Sequence, residues 1–421
     1  MTSPRKWSDR LLLAVSGEGR DVRHRHERAR PEWWPAFSSP LRSTAVTARV
    51  GRLLGISFSI CFVTGLLSHY QYQPWSWLPE PASPVWAYRV TQGLHIATGT
   101  ASIPLLLVKL WSVFPNLFRW PLVRSTRHGL ERLSVAVLVS SALVQLFTGF
   151  FNALNWYPWA WDFVPVHRFL GYVVIGSVLL HVAVKLPDIT YGLSAKVVDG
   201  DVLTEIPWSE NPAAHSNAGK IPPPATEGLS RRGLLVATGS GIGVVVMTSV
   251  GQTLTPLEPV GLLAIRQGKK GPQGVPVNRT ADQAGVGASA SAATWALRVG
   301  GPKPYSLGLA EVEAMALHDE QLPITCVEGW SVGAAWRGVR LIDLVVRAGG
   351  TADSRVRVHS LETGGSYRTS DVFGPQVSHA LLATHLNGQR LNLDHGYPLR
   401  LIAPNRPGVL NTKWLTMVEV L

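Results

Sequence analysis

Apolar residues gather along this chain in five runs, near 47–68, 90–113, 132–152, 166–186 and 233–254. Each is close to the ~20 residues that a helix needs to cross a bilayer. Beyond residue 294 the pattern shortens. "WALRVGG" (295–301) alternates as a strand does, and "RVRVHSLE" (355–362), "LRLIAP" (399–404) and "KWLTMVEVL" (413–421) also read as strands. "AEVEAMAL" (310–317) and "LIDLVVRAG" (341–349) have helical spacing, the second stopped by glycine. The pattern predicts a multi-domain membrane protein: an all-α four-helix transmembrane bundle and one anchor helix, followed by an α+β domain able to bury its own core.

The expected divisions are a basic tail (1–43), the bundle (44–187), a linker (188–231) containing "IPPPATEG", and the fifth span (232–254). A second linker (255–293) ends in "GVGASASAA", and the α+β domain fills 294–421.

Composition agrees with a membrane setting: 46% of residues are hydrophobic and only 16% charged. The net charge of +12 is not gathered in one folded module, which argues against nucleic acid as partner. Basic residues sit in the tail ("RDVRHRHERAR", 20–30) and in the loop with Arg119, Arg124, Arg127 and Arg132. The loops at 69–89 and 152–165 carry Trp75, Trp77, Trp86, Trp156, Trp159 and Trp161 instead. Basic loops favour the cytoplasmic side and tryptophans the interface. The N-terminus is therefore expected in the cytoplasm, with both tryptophan loops and the C-terminal domain outside a bacterial cytoplasmic membrane, in contact with lipid.

The tail lacks an apolar stretch long enough for a secretory signal peptide and reads as disordered. The fifth span opens "SRRGLLVATGSGIGVVV" (230–246), which resembles a twin-arginine export signal. An arginine pair that merely marks the inner end of a span is the alternative. With a folded domain following, the twin-arginine export machinery is the expected partner. No Ala-x-Ala cleavage site follows, so the span is expected to remain as an anchor.

The second and fourth spans repeat a pattern. "HIATG" (95–99) and "HRFLG" (167–171) each place glycine four residues after histidine, and Lys109 and His181 stand fourteen residues further on. On a helix these positions share a face about 21 Å apart along the axis. Histidines so placed on neighbouring helices suit bis-imidazole ligation of b-type haem, with Gly99 and Gly171 leaving room for the macrocycle, as in cytochrome b-like domains. His95 and His167 are the expected axial ligands of one outer haem. His181 is a candidate ligand of a second, inner haem. Its counterpart Lys109 ligates only when deprotonated, and can instead reach toward the interface. His128 is another possible inner partner and His69 a further outer one. The alternative is that these histidines are interhelical hydrogen-bonding groups without a cofactor.

Cys326 and Cys61 are the chain's two cysteines, too few for a disulfide framework. Cys326 lies in "ITCVEGWSVGAAWRGVRLIDLVVRAG", and "ALLATHLNGQRLNLDHGYPLRLIAPNRPGVLNTKWLTMVEV" follows. With the earlier "VPVNRTA" (275–281), these blocks resemble, in order, the molybdopterin domain of the sulfite oxidase family, which includes bacterial periplasmic reductases of protein methionine sulfoxide. The resemblance covers most of 272–421. It implies that the Cys326 thiolate is the catalytic ligand of molybdenum beside a pyranopterin dithiolene, as suits a soft thiolate. His395 and Arg400 match positions that hold the pterin and its phosphate. Lys413, with the Gly408 backbone, matches another anion-binding position. Asn278 and Arg279 match the segment that enters the cofactor pocket. Arginine forks, a lysine charge and backbone N–H groups suit a phosphate.

Two departures stand out. Sulfite oxidases typically carry an arginine soon after the metal cysteine, where this chain has Val327-Glu328-Gly329-Trp330, and an immunoglobulin-like dimerisation domain, for which no length remains before Leu421.

The expectation is a membrane-bound molybdoenzyme doing two-electron oxo transfer on a small-molecule or protein-bound substrate. Its electrons would be exchanged through b-type haem with quinone or another membrane carrier. A reductase of a sulfoxide-like substrate is preferred over a sulfite-type oxidase, or over a non-catalytic ligand-binding domain on an anchor. His318, His359, His379 and His385 receive no role.

Overall fold

The computed structural model describes residues 41–118, 122–123, 125–195, 230–264, 270–290 and 293–421. The basic tail to residue 40, Arg119, Arg124 and the proline-rich stretch of the first linker lie outside the described residues. Five helices carry the apolar runs: α1 Thr44–Tyr72, α2 Ala87–Val113, α3 Thr126–Ala153, α4 Phe163–Ser194 and α5 Arg231–Val250. All five are long and apolar enough to cross a membrane.

Three begin at serine caps. Ser43, Ser125 and Ser230 accept the N–H groups of Val46, His128 and Gly233, which the first helical turn otherwise leaves open. α5 ends earlier than its apolar run, in a tightened last turn where the Thr253 N–H donates to the Val250 carbonyl three residues back (2.9 Å). α1 packs along α2 and α4, α3 along α4, and α5 along α2. Val46, Val50, Leu54, Leu105, Ala142 and Val174 form the interior. Leu53, Val63, Leu133, Phe147 and Leu179 face outward and exposed, a distribution that suits lipid better than water.

The C-terminal domain has two five-stranded sheets. The first is ordered β2 (Tyr305–Gly308), β1 (Ala296–Gly300), β10 (Leu415–Val420), β5 (Val356–Ser360), β6 (Thr369–Val372). β1 and β10 pair in parallel and the other neighbours antiparallel. The second runs β3 (His318–Thr325), β4 (Ser331–Arg340), β7 (Leu381–Leu386), β8 (Gln389–Arg390), with β9 (Arg400–Ile402) also on β7. Short helices α6 (Leu309–Glu313), α7 (Leu341–Arg347) and α8 (Pro375–His379) join them. Leu297, Val339, Leu344, Val358, Leu401 and Val418 fill the main core.

The strands expected from alternation are present, trimmed at their ends. The β3–β4 hairpin was not among them. β3 carries His318-Asp319-Glu320 and Pro323, and β4 three small residues and Gly338, so neither alternates cleanly. Gly338 is required where the β4–β7 register shifts, since a Cβ there would lie 2.0 Å from the Leu382 carbonyl oxygen.

Candidate active site

The β3–β4 hairpin turns through Cys326-Val327-Glu328-Gly329-Trp330. The Cys326 N–H donates to the Trp330 carbonyl (2.9 Å), and the Gly329 N–H donates to the Cys326 carbonyl (3.1 Å). The thiol is buried, with Leu322, Ile324, Trp330, Trp336 and Ile402 in its cluster. A small cavity opens beside it, lined by Pro276, Asn278, Ile324, Cys326, Trp330, Arg400, Gly408 and Lys413. Gly408 packs against the strand leading to the thiol, and a Cβ there would stand 3.0 Å from the Thr325 carbonyl oxygen. Five of the seven residues expected around the molybdenum cofactor thus meet at one cavity from three distant stretches of chain.

The other two support its wall. His395 bonds the Pro272 carbonyl through Nε2 (2.8 Å), and burial with the neighbouring Arg400 pushes its pKa down to about 4. Arg279 turns away to Glu362 (2.6 Å). Its carbonyl, with that of Asp394, accepts from the Lys413 ammonium (2.8 Å each).

The cavity's electrostatics call for an anion. Arg400 is 3% exposed, and among the described residues its Nε has no hydrogen-bond partner. Burial lowers its pKa to about 9, with Cys326 pulling the other way. Burial and Arg400 together bring Lys413 to about 7. Two desolvated cations facing a thiol are stabilised by a bound phosphate and by thiolate coordination of a metal. The donor set therefore fits a molybdenum–pyranopterin phosphate.

The hairpin does not face open solvent. The Val327 carbonyl accepts from Gln92 Nε2 on α2 (3.1 Å) and from Asn152 Nδ2 on α3 (3.0 Å). Gly329, at φ +92°, lies on Ile96, and a Cβ would come within 2.7 Å of that side chain. Its carbonyl accepts from the Thr253 hydroxyl, and the Ser331 N–H donates to the Gln252 carbonyl (2.8 Å). Asn405 ties the same ends together: its Oδ1 accepts from Gln71 Nε2 (3.1 Å) and the Tyr88 N–H (2.6 Å), and its Nδ2 donates to Pro81 (3.0 Å).

Ile96 follows His95. The His95 and His167 rings face one another with centroids 6.2 Å apart and planes at 75°. His95 Nδ1 bonds the Cys61 carbonyl (2.8 Å), which as an N–H donor leaves Nε2 the lone pair of a metal ligand. His167 meets the Thr148 hydroxyl at Nδ1 (3.0 Å) and the Gln145 amide at Nε2 (2.9 Å). The glycines against the two rings are Gly65 and Gly149, while Gly99 and Gly171 lie against Cys61 and Gln145.

The remaining candidates lie apart from this pair. His69 pairs with Arg168. The His128 backbone N–H is held by the Ser125 cap. At the far end of the bundle, Lys109 donates to the Thr47 carbonyl (2.9 Å). His181 there lies within electrostatic reach of Lys109, Lys185 and Glu131.

Several contributors escaped the sequence reading. Tyr367 and Tyr88 lie close enough to Cys326 to feel its charge. Asn405 and Arg406 stand at the seam with the helices. One signal was available: Thr64-Gly65 precedes Pro74-Trp75-Ser76-Trp77 at the same spacing as Thr148-Gly149 precedes Pro158-Trp159-Ala160-Trp161. Within each pair the tryptophans stack, at 5.2 and 4.5 Å. The bundle is a duplicated two-helix unit, and Cys61 and Gln145 are equivalent positions, each touching its own unit's histidine.

Residues 284–421 match the family of the oxidoreductase molybdopterin binding domain. The mitochondrial sulfite oxidase of Drosophila melanogaster is 30% identical over 149 residues, 29% of this chain and 26% of that protein. The uncharacterized oxidoreductase YuiH of Bacillus subtilis is 33% identical over 129 residues, 30% of this chain and 64% of that protein. The sulfite oxidase of Arabidopsis thaliana is 32% identical over 114 residues, 22% of this chain and 29% of that protein. The chain thus spans about a quarter of the sulfite oxidases' length and under two thirds of the Bacillus protein. The C-terminal domain is a molybdopterin-binding oxidoreductase domain. Within that class it is sulfite oxidase-like, carried on a chain with five apolar helices.

Proposed function

We propose that this protein is a molybdenum oxidoreductase of the bacterial cytoplasmic membrane whose catalytic domain, outside the membrane, reduces a sulfoxide-like substrate by two-electron oxo transfer. His95 and His167 would hold one b-type haem, which would supply electron exchange with quinone or another membrane carrier. The observation that carries this reading is the seat of the Cys326 hairpin: Val327 and Gly329 rest on Gln92, Asn152 and Ile96, next to His95. A domain merely tethered to lipid has no need to seat its metal-binding turn on the helix that carries His95.

When bound, the molybdenum cofactor supplies the oxo-transfer and redox chemistry. The chain supplies position and charge. Cys326 offers the thiolate, and Arg400 and Lys413 offset the anionic charge in a buried cavity. Gln92 and Asn152 hold the hairpin by its Val327 carbonyl. The residues after Cys326, where sulfite oxidases typically carry an arginine, serve docking here, which favours a reductase. The N-terminus and the linker before α5 are cytoplasmic, and the twin arginines at 231–232 recruit the twin-arginine machinery. His181 is coupled electrostatically to Lys109, Lys185 and Glu131, cationic company that suits a second haem poorly, so a single haem is proposed.

The sulfite oxidases among the relatives favour a second reading, sulfite oxidation with electrons flowing inward. Elemental analysis of detergent-purified protein from a cofactor-competent host tests the shared core of both. One molybdenum and one iron per chain are expected. Molybdenum without iron would remove the haem relay, and neither metal would leave a ligand-binding domain on an anchor.

A further inference from the structure

An open cleft runs along the seam between the helices and the catalytic domain. Gln71, Tyr72 and Glu80 line it from the helical side, and Tyr367, Gln376 and Arg406 from the domain. Three of these end in a buried polar atom without a hydrogen-bond partner among the described residues: Glu80 Oε1, Gln376 Oε1 and Arg406 Nε. The residues are 3%, 2% and 6% exposed. Buried polar atoms are costly to leave dry, so three at one opening point to a passage that takes water. Arg406 is otherwise held by its Nη2 donating to the Asp371 carbonyl (2.8 Å), and Gln376 by its amide donating to Pro404 (3.0 Å).

Glu80 reaches this cleft through an asymmetry of the duplicated unit. After Pro158-Trp159-Ala160-Trp161 the chain re-enters a helix almost at once, whereas after Pro74-Trp75-Ser76-Trp77 the first unit carries the extra segment 78–89. That segment supplies Glu80, the Pro81 carbonyl that Asn405 grips, and Tyr88. Tyr70, Tyr88 and Arg406 are near enough to interact with the Glu80 charge. Tyr70 donates to the Leu78 and Pro79 carbonyls (3.1 and 3.0 Å). Arg355 and Arg357, further along the cleft, are paired with Asp371 (2.7 Å each). Phenols lead inward from there: the Tyr72 and Tyr367 hydroxyls are 3.4 Å apart, and both Tyr367 and the buried Tyr88 sense Cys326.

We infer that Glu80, supplied by the membrane domain, is the proton-delivering residue for oxo transfer, passing its proton through the hydrated cleft and the Tyr72–Tyr367 phenols toward the metal site. The inference rests on the reductase reading. Reducing a sulfoxide breaks the S–O bond, takes two electrons from the membrane carrier and two protons, and releases the sulfide and water. Glu80 delivers the first proton from its carboxyl and, once reprotonated, the second, so that both come in the end from solvent. The resulting carboxylate faces the Arg406 guanidinium and is reprotonated from solvent through the open cleft. Burial pushes the Glu80 pKa up to about 9, against the pull of Arg406, so the group is loaded at neutral pH.

The test compares full-length wild-type and Glu80→Gln holoenzymes with dimethyl sulfoxide as probe. The near-isosteric variant is expected to keep its molybdenum and haem and its KM, while kcat falls on the order of 100-fold, as for loss of a general acid. Wild-type kcat should decline as pH rises through about 9, and the variant should lose that limb. Infrared spectra should lose one protonated-carboxyl band at neutral pH, and Glu80→Asp should restore both band and part of the rate. A Glu80→Gln enzyme with wild-type kcat and pH profile, or an unchanged infrared spectrum, would overturn the inference. A wild-type enzyme inert to every sulfoxide would instead overturn the reductase reading, and the proton role with it.

Discussion

Arg400 carries the strongest chemical statement at the scale of single residues. A guanidinium 3% exposed whose Nε has no partner among the described residues is expensive unless something anionic arrives. Replacement by glutamine keeps hydrogen-bonding capacity but removes the charge, so Arg400→Gln should fold and lose molybdopterin retention at least tenfold, on the scale of other supporting contacts. Molybdenum per chain after gel filtration measures it. Cys326, Asn278, Arg400, Gly408 and Lys413 were legible because they sit in blocks whose order in the chain is itself informative. Glu80 and Arg406 were not. In sequence, a glutamate between prolines in a tryptophan-rich loop reads as solvated, and only the docking of two domains buries it.

At the scale of elements, the Asn405 turn holds the two halves together. Its amide makes three hydrogen bonds to the helical region from a 3% exposed position. Asn405→Ala leaves the Gln71 amide, Tyr88 N–H and Pro81 carbonyl unpaired, a cost of roughly 2–4 kcal/mol to docking. Faster amide exchange at 326–330 and 85–92, with the β-sheet core unchanged, is the expected signature. Within the bundle, His95→Ala and His167→Ala should each abolish the low-spin haem spectrum, because bis-imidazole ligation needs both. His181→Ala should leave the spectrum intact.

The apolar helices were readable from length alone, since a span admits few alternatives. The β3–β4 hairpin was not, because its charges, proline and small residues erase alternation. Its stability comes from pairing with β7 and from the bundle beneath it, which are non-local facts. The duplicated Thr-Gly and Pro-Trp-x-Trp pattern lay in plain sight and explains why two histidines from separate units come together, edge to face.

At the scale of the whole molecule, the site belongs to neither half alone. The catalytic domain brings the thiol and the cations, while the helices bring the floor of the hairpin, one wall of the cleft and the histidine pair. The most direct test is to reduce the haem anaerobically in purified protein, mix with dimethyl sulfoxide, and follow the haem band by stopped flow. Reoxidation in the wild type and its loss in Cys326→Ser, with haem content unchanged, is the predicted result. Haem that is reoxidised equally fast without the Cys326 thiol, or that stays reduced while the domain turns over with an artificial donor, would contradict the account.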